Sequence, residues 1–92
     1  MKIQNERYVA EFILEGAQLV SFKDKNDGTE FIHDGKTGWG QHNPTLFPIV
    51  GKLKGGKTII NGQPFEMGQH GVVRRAQFEV HEQTETSIAL VI

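Results

Sequence analysis

The stretch Gly51-Lys52-Leu53-Lys54-Gly55-Gly56-Lys57-Thr58-Ile59-Ile60-Asn61-Gly62-Gln63-Pro64-Phe65-Glu66 decides the fold. Its first eight residues fit the phosphate-cradle expression G-x-x-x-x-G-K-T, which would imply an α/β nucleotide-binding protein. That loop works only when a helix follows, because the helix N-terminus faces the phosphates. Here two β-branched residues, an Asn-Gly pair and a proline come after Thr58 within six positions. They forbid the helix. Asn-Gly instead supplies the positive φ angles of a tight hairpin turn. Residues 58–60 and 63–66 therefore read as paired strands, with Pro64 on an edge that needs no N–H donor. The first eight residues become a basic, glycine-rich turn leading into that hairpin.

The same period-two reading extends both ways. Tyr8, Ala10, Phe12 and Leu14 share one parity of residues 8–14, with Glu11 on the other, which predicts a strand. Glu15-Gly16-Ala17 interrupts it, residues 18–23 resume it, and Asp27-Gly28 predicts a turn with residues 29–33 as the returning strand. Beyond the Gly and His turn at residues 68–71, residues 76–82 are predicted to face Phe78 and Val80 inward. Residues 87–92 do the same with Ile88, Leu90 and Ile92. No window of helical length carries apolar residues at i, i+3, i+4 and i+7 with capping signals, so the chain reads as all-β, with about seven or eight strands. Residues 34–56 hold neither period and exceed the ~12–15 residues of an ordinary structureless loop. We read them as an ordered functional excursion whose Trp39, Leu46, Phe47, Ile49, Val50 and Leu53 pack on a sheet, each burial worth about 1.5–3 kcal/mol.

Composition narrows the function. At 92 residues the chain holds one domain. Ten Lys and Arg against eleven Asp and Glu lack the electrostatic footprint of a phosphate-backbone binder, so no nucleic-acid partner is expected. No stretch approaches the ~20 apolar residues of a membrane span and the N-terminus has no signal-peptide core, so a cytoplasmic protein with no membrane partner is expected. With no cysteine, packing alone must hold the core, and thiolate metal sites and cysteine redox chemistry are excluded. The apolar run Ala89-Leu90-Val91-Ile92 lacks a polar tail. It predicts that the chain is the truncated part of a longer polypeptide or is covered in an oligomer, with uncovered β edges open to self-association.

Four histidines are the candidate acid/base groups: His33, His42, His70 and His81. Their spacing matches no zinc signature, and neither a metal nor a cofactor is expected. His81, on the outward parity of a strand, and His33, at a strand end, read as solvated surface residues. His42 and His70 lie in irregular Gly- and Pro-rich segments, where scaffolds place working groups, although either could equally stabilise a turn. An imidazole can give or take a proton at neutral pH. Gln69-His70-Gly71 with Arg74 and Arg75, and Lys52 on the other loop, supply donors and one titratable ring, suited to a hydroxylated or anionic small molecule.

At these residues the sequence resembles a known family. Trp39-Gly40-Gln41-His42-Asn43-Pro44, Leu46-Phe47-Pro48-Ile49-Val50-Gly51-Lys52-Leu53, Asn61-Gly62 and Gln69-His70-Gly71-Val72-Val73-Arg74 are similar to the N-terminal third of aldose 1-epimerases, in the LacX-like branch of these galactose mutarotase-related proteins. The resemblance implies an antiparallel β-sandwich, the galactose mutarotase-like supersandwich, of which residues 1–92 form the N-terminal part of a single domain. It implies interconversion of the α and β anomers of a hexose: a base takes the C1 hydroxyl proton, an acid protonates the ring oxygen, and the opened chain closes on either face. By the same likeness His70 is the catalytic candidate, as acid or orienting donor. Lys52 stands where the family has a sugar-binding Arg, Arg74 is a candidate for sugar hydroxyls or the phosphate of a hexose phosphate, and His42 completes the substrate-binding set.

Three departures alter the pocket. Lys52 offers a point charge in place of a planar fork, Val72 and Val73 replace Phe and Ala, and Arg75 stands where Asp or Asn is usual. The family's catalytic Glu and second catalytic His fall beyond Ile92, so the chain alone is expected to be inactive. Two other classes compete with the isomerase: a non-catalytic carbohydrate- or sugar-phosphate-binding β-module, and a β-structured interaction domain with no small-molecule role.

Overall fold

Seven strands and two short 3₁₀ turns make up the chain in a computed structural model that describes residues 1–92 except Thr37, Trp39 and Gln41. The strands are β1 (Lys2–Gln4), β2 (Tyr8–Ile13), β3 (Gln18–Asp24), β4 (Lys57–Ile60), β5 (Gln63–Glu66), β6 (Glu79–Gln83) and β7 (Ile88–Val91). They form three antiparallel sheets: β1-β2-β3, β4-β5 and β6-β7. All β pairings within the sheets are between chain neighbours, as an alternating sequence punctuated by Asn-Gly and Asp-Gly turns dictates.

The deciding stretch folds as its turn chemistry requires. Asn61 and Gly62 take φ values of 50° and 77°, and Ile60 pairs with Gln63 across them. In a two-residue hairpin the closing pair is hydrogen bonded and the next is not, so Pro64, opposite Ile59, loses no ladder bond. Lys54–Gly56 forms a single 3₁₀ turn with Gly55 at φ 66°, and strand β4 follows directly. No helix caps a phosphate site there.

Several expectations need correction. The segment 29–33 is not a strand: after one bridge, Lys23 to Glu30, the ladder stops. Glu30 itself ends it. Its carboxylate accepts the Phe22 amide at 2.8 Å and the Ser21 hydroxyl at 2.6 Å, taking the place of a backbone carbonyl on the edge of β3. Strand β1 was not anticipated, since three residues are too few to display a period. The sixth strand starts at Glu79, three residues later than predicted. Val80 is 43% and Ile92 69% exposed, so neither faces a core. A bulge at His81, between Val80 and Glu82, breaks the alternation, and His81 is exposed.

The excursion at 34–56 is corrected in its packing. Phe47 is 60% and Val50 78% exposed, Leu46, Ile49 and Leu53 are half-buried, and Trp39 lies outside the described residues. Among the described residues, buried apolar side chains are limited to Ala10, Val73 and Phe78. The reason is geometric. The chain extends over 53 × 33 × 15 Å with a radius of gyration of 16.4 Å, against about 12 Å for a compact chain of this length. Two packed sheets need about 10 Å between them plus their outer side chains, so most of this chain is one layer.

Side-chain amides join the parts. Asn43 Oδ1 accepts the Leu19 amide at 2.9 Å while its Nδ2 donates to the Leu19 carbonyl at 2.7 Å, so one side chain imitates a paired strand. Gln18, 5% exposed, donates to the Glu15 carbonyl and accepts the His42 amide. Gly16, at φ 68°, donates its amide to Ala76 and accepts from Thr45, and an added Cβ would overlap the Arg74 carbonyl oxygen. The chain crosses itself there with no room for a side chain.

The Glu30 contact makes stability depend on pH. Partial desolvation opposes the charged carboxylate, but donation from the Ser21 hydroxyl and the Phe22 and Ile32 amides, with the nearby Lys23 charge, outweighs it and holds the group below its ordinary 4.5. A lowered native value means that the contribution is fully present above the ordinary value and is lost as pH falls through the native one. Glu30→Gln should therefore melt below the unsubstituted chain at pH 6, and the gap should close on acidification towards pH 3, as followed by thermal unfolding. A gap independent of pH would refute the assignment.

Candidate functional site

Two loops meet at one glycine. Gly71, buried and at φ 81°, lies so close to Phe47 that an added Cβ would overlap the Phe47 carbonyl oxygen. That carbonyl accepts the amides of Val72 at 2.9 Å and Val73 at 3.3 Å, and Phe47 and Gly71 form a parallel bridge. The Phe47-Pro48 peptide is cis. A few residues on, the His70 amide donates to the Gly51 carbonyl at 2.7 Å and the Gly51 amide donates to His70 Nδ1 at 2.9 Å. His70 is half-buried and sits in the left-handed region at φ 64°, a conformation that a non-glycine residue keeps only when its surroundings over-determine it.

The geometry sorts the candidates. A hollow of about 490 Å³ is lined by Gly68, Gln69, Gly71, Val72, Arg74 and Arg75. His70 is itself on neither this wall nor the next, although its chain neighbours Gln69 and Gly71 line this one, and Arg74 is on the wall, its Nη1 directed at the Gln69 carbonyl at a long 3.4 Å. A second hollow of about 430 Å³, lined in part by Lys57 and Glu66, shares Gly68 and Val72 with the first. Lys52 and His42 are not on either wall. Lys52 is exposed on the loop that carries Gly51. His42 is half-buried, anchored by Gln18, and its ring lies against Gly35, where an added Cβ would come within 2.6 Å of Cε1. Its segment reaches the His70 loop indirectly, through Gly16, which faces both Pro44 and Arg74. His33 is exposed, with its Nδ1 accepting the Gly35 amide.

Charge is distributed unevenly along the chain. Residues 43–78, which carry both loops, hold five basic residues (Lys52, Lys54, Lys57, Arg74 and Arg75) and one acidic residue, Glu66. The remaining residues hold five basic and ten acidic. The near-zero total conceals a positive site region. Among the described residues, no three His, Cys, Asp or Glu side chains converge as metal ligands do. No helix among them is long and apolar enough to cross a membrane.

Sequence reasoning missed Gly16, Gln18 and Asn43. A glycine in an interrupted strand was the available signal for the first. Nothing in the local pattern marks an amide side chain that will pair with a strand 24 residues away.

Antiparallel sheets that carry two loops joined at a glycine define an all-β class of protein, and a likeness to known members of one such family extends over the whole chain. A sequence model of the aldose 1-epimerase family matches residues 1–92, and the chain belongs to that family. The plasmid and chromosomal LacX proteins of Lactococcus lactis subsp. lactis are each 36% identical to it over 98 residues, covering 100% of this chain and 32% of theirs. A galactose mutarotase-like protein from Lactobacillus casei superimposes with a TM-score of 0.93 at 30% identity, over 98% of this chain and 31% of that one. A galactose mutarotase related enzyme from Lactobacillus acidophilus gives 0.92 at 36% identity, over 98% and 30%. The chain thus spans about a third of the length of the relatives it matches, and its fold is the N-terminal part of theirs.

Gly71→Ala should lose the site. The methyl meets backbone on a residue that also pays about 1–2 kcal/mol for a left-handed φ. Gly28→Ala, at φ 77° with nothing within 4 Å, should lose only the conformational part. Denaturant unfolding of both variants measures the difference. Equal losses would mean that the Phe47 carbonyl yields freely.

Proposed function

We propose that the protein to which this chain belongs is an aldose 1-epimerase-type isomerase, binding a hexose or hexose phosphate and exchanging its α and β anomers by acid/base ring opening and closure. The observation that supports it best is His70 held between Gly51 and the Gly71 clamp, beside a hollow with two arginines on its wall. Family membership supports a sugar-related function in the same direction. In this reading His70 is the catalytic contact to the sugar near C1 or the ring oxygen. Arg74 binds hydroxyls or a phosphate, helped by the positive charge of residues 43–78, and Lys52 and His42 close on the ligand from the flanking loops. Among the described residues no acidic side chain lines the larger hollow, and in this reading the base comes from elsewhere in the whole protein.

That same lack favours one second reading, a non-catalytic sugar-binding module that keeps the donors without the base. Polarimetry separates the two. Fresh α-D-glucose or α-D-galactose should mutarotate faster with the whole protein than in buffer, and His70→Ala should slow it by about 10²-fold or more, the range for removing an acid/base group or a preorganised donor. The 92-residue chain alone should give the buffer rate. A whole protein that binds galactose without accelerating mutarotation is the module. One whose activity ignores His70→Ala refutes the role given to this histidine.

A further inference from the structure

The pair of hydrogen bonds between Gly51 and His70 determines where the ring keeps its proton. A backbone amide only donates, so Nδ1, 2.9 Å from the Gly51 nitrogen, must offer a lone pair. The proton of the neutral imidazole then sits on Nε2. We propose that Gly51 is a positioning residue that holds His70 in its Nε2–H tautomer, so that the ring meets its ligand as a hydrogen-bond donor to an oxygen lone pair and transfers no proton. The tautomer follows from the hydrogen bonds alone, and its role towards a sugar rests on the proposed function.

The chemistry follows from proton bookkeeping. A base needs a free lone pair on the ligand side, and the single lone pair of this tautomer is committed to Gly51. An acid working from the neutral ring would give up the Nε2 proton and leave an imidazolate. What remains is polarisation: Nε2–H can donate to the ring oxygen of a pyranose, or to the same oxygen once opening has made it a hydroxyl. The proton that this oxygen gains on opening comes from another group. The ring cannot turn over cheaply, because a flip would set the Cδ2 carbon against the Gly51 amide and leave that donor unpaired. The backbone bond from His70 to the Gly51 carbonyl, at 2.7 Å, keeps the two residues in register while φ values of 64° and 89° turn both chains into the contact.

Histidine-ring ¹H–¹⁵N correlation spectra of the chain near neutral pH test this directly. The expected result is an unprotonated Nδ1 and a protonated Nε2 for His70, with coupling across the hydrogen bond to the Gly51 nitrogen. A protonated Nδ1, alone or together with Nε2, overturns the proposal. Gly51→Ala, strained at φ 89° but with open space around its Cβ, should shift His70 towards a mixture of tautomers while the β4–β5 amide signals persist. An unchanged tautomer would remove Gly51 from the role, and if the variant does not fold, the coupling in the unsubstituted chain decides. Galactose added to the unsubstituted chain should move the Nε2–H proton and leave Nδ1 unprotonated. Shifts at residues 69–74 without one at Nε2–H overturn the donor role. If galactose shifts nothing, the sugar reading fails and the tautomer stands on the first measurement.

Discussion

The carbonyl of Phe47 resting on Gly71 is the contact on which the site depends. Two amides, those of Val72 and Val73, converge on that oxygen, and only a residue without Cβ leaves room for it. The contact holds two loops, separated in sequence by a hairpin, at a fixed spacing. The Gly51 and His70 exchange of hydrogen bonds is the next layer of that arrangement. An imidazole on a mobile loop would sample both tautomers and many directions. Clamped on both sides, the ring is held in one orientation, and preorganisation of this kind is what makes a donor effective in catalysis. Gly16 does the equivalent work for the flanking loop, where the approach of the Arg74 and Pro44 segments brings the loop that carries His42 towards the same region.

The energetics of the chain are those of a surface layer. A 15 Å thickness leaves room for little beyond one sheet and its side chains, and few apolar groups are withdrawn from water. Stability of the described residues therefore leans on local pairing. The aromatic cluster of Tyr8, Phe22 and Phe31 has ring centroids 5.2 to 6.4 Å apart, Asp24 is buried against Arg7, and side-chain amides stand in for missing strands. Exposed apolar residues such as Ile59, Phe65 and Val72 lie on the faces of this layer. The relatives it matches have chains about three times as long, and that greater length is the physical context in which such faces belong.

Reading by period worked where a strand was long or a turn was chemically unambiguous. The Asn61-Gly62 hairpin, the rejection of the nucleotide loop and the strands at Tyr8–Ile13 and Gln18–Asp24 all rest on side-chain alternation or on positive φ, which are local properties. The returning strand at 29–33 failed because a carboxylate can satisfy a strand edge as well as a backbone carbonyl does, and composition does not say which will happen. The inward facing of Val80 failed although it lies opposite Leu90, because so thin a chain offers few side chains a second layer to pack against. Of the four residues put forward for the site, Arg74 lines the larger hollow and His70 stands next to two of its lining residues in the chain, whereas Lys52 and His42 remain on flanking loops.

What the amino-acid sequence determined by itself is the β class, the turns and the family, since propensity, alternation and a run of shared motifs are all carried by neighbours along the chain. Which nitrogen of His70 receives the Gly51 amide, which glycines must lack a side chain and which amides act as strands were decided only by the tertiary structure. These depend on contacts between residues 19 to 60 positions apart, and no local preference encodes the approach of one backbone to another.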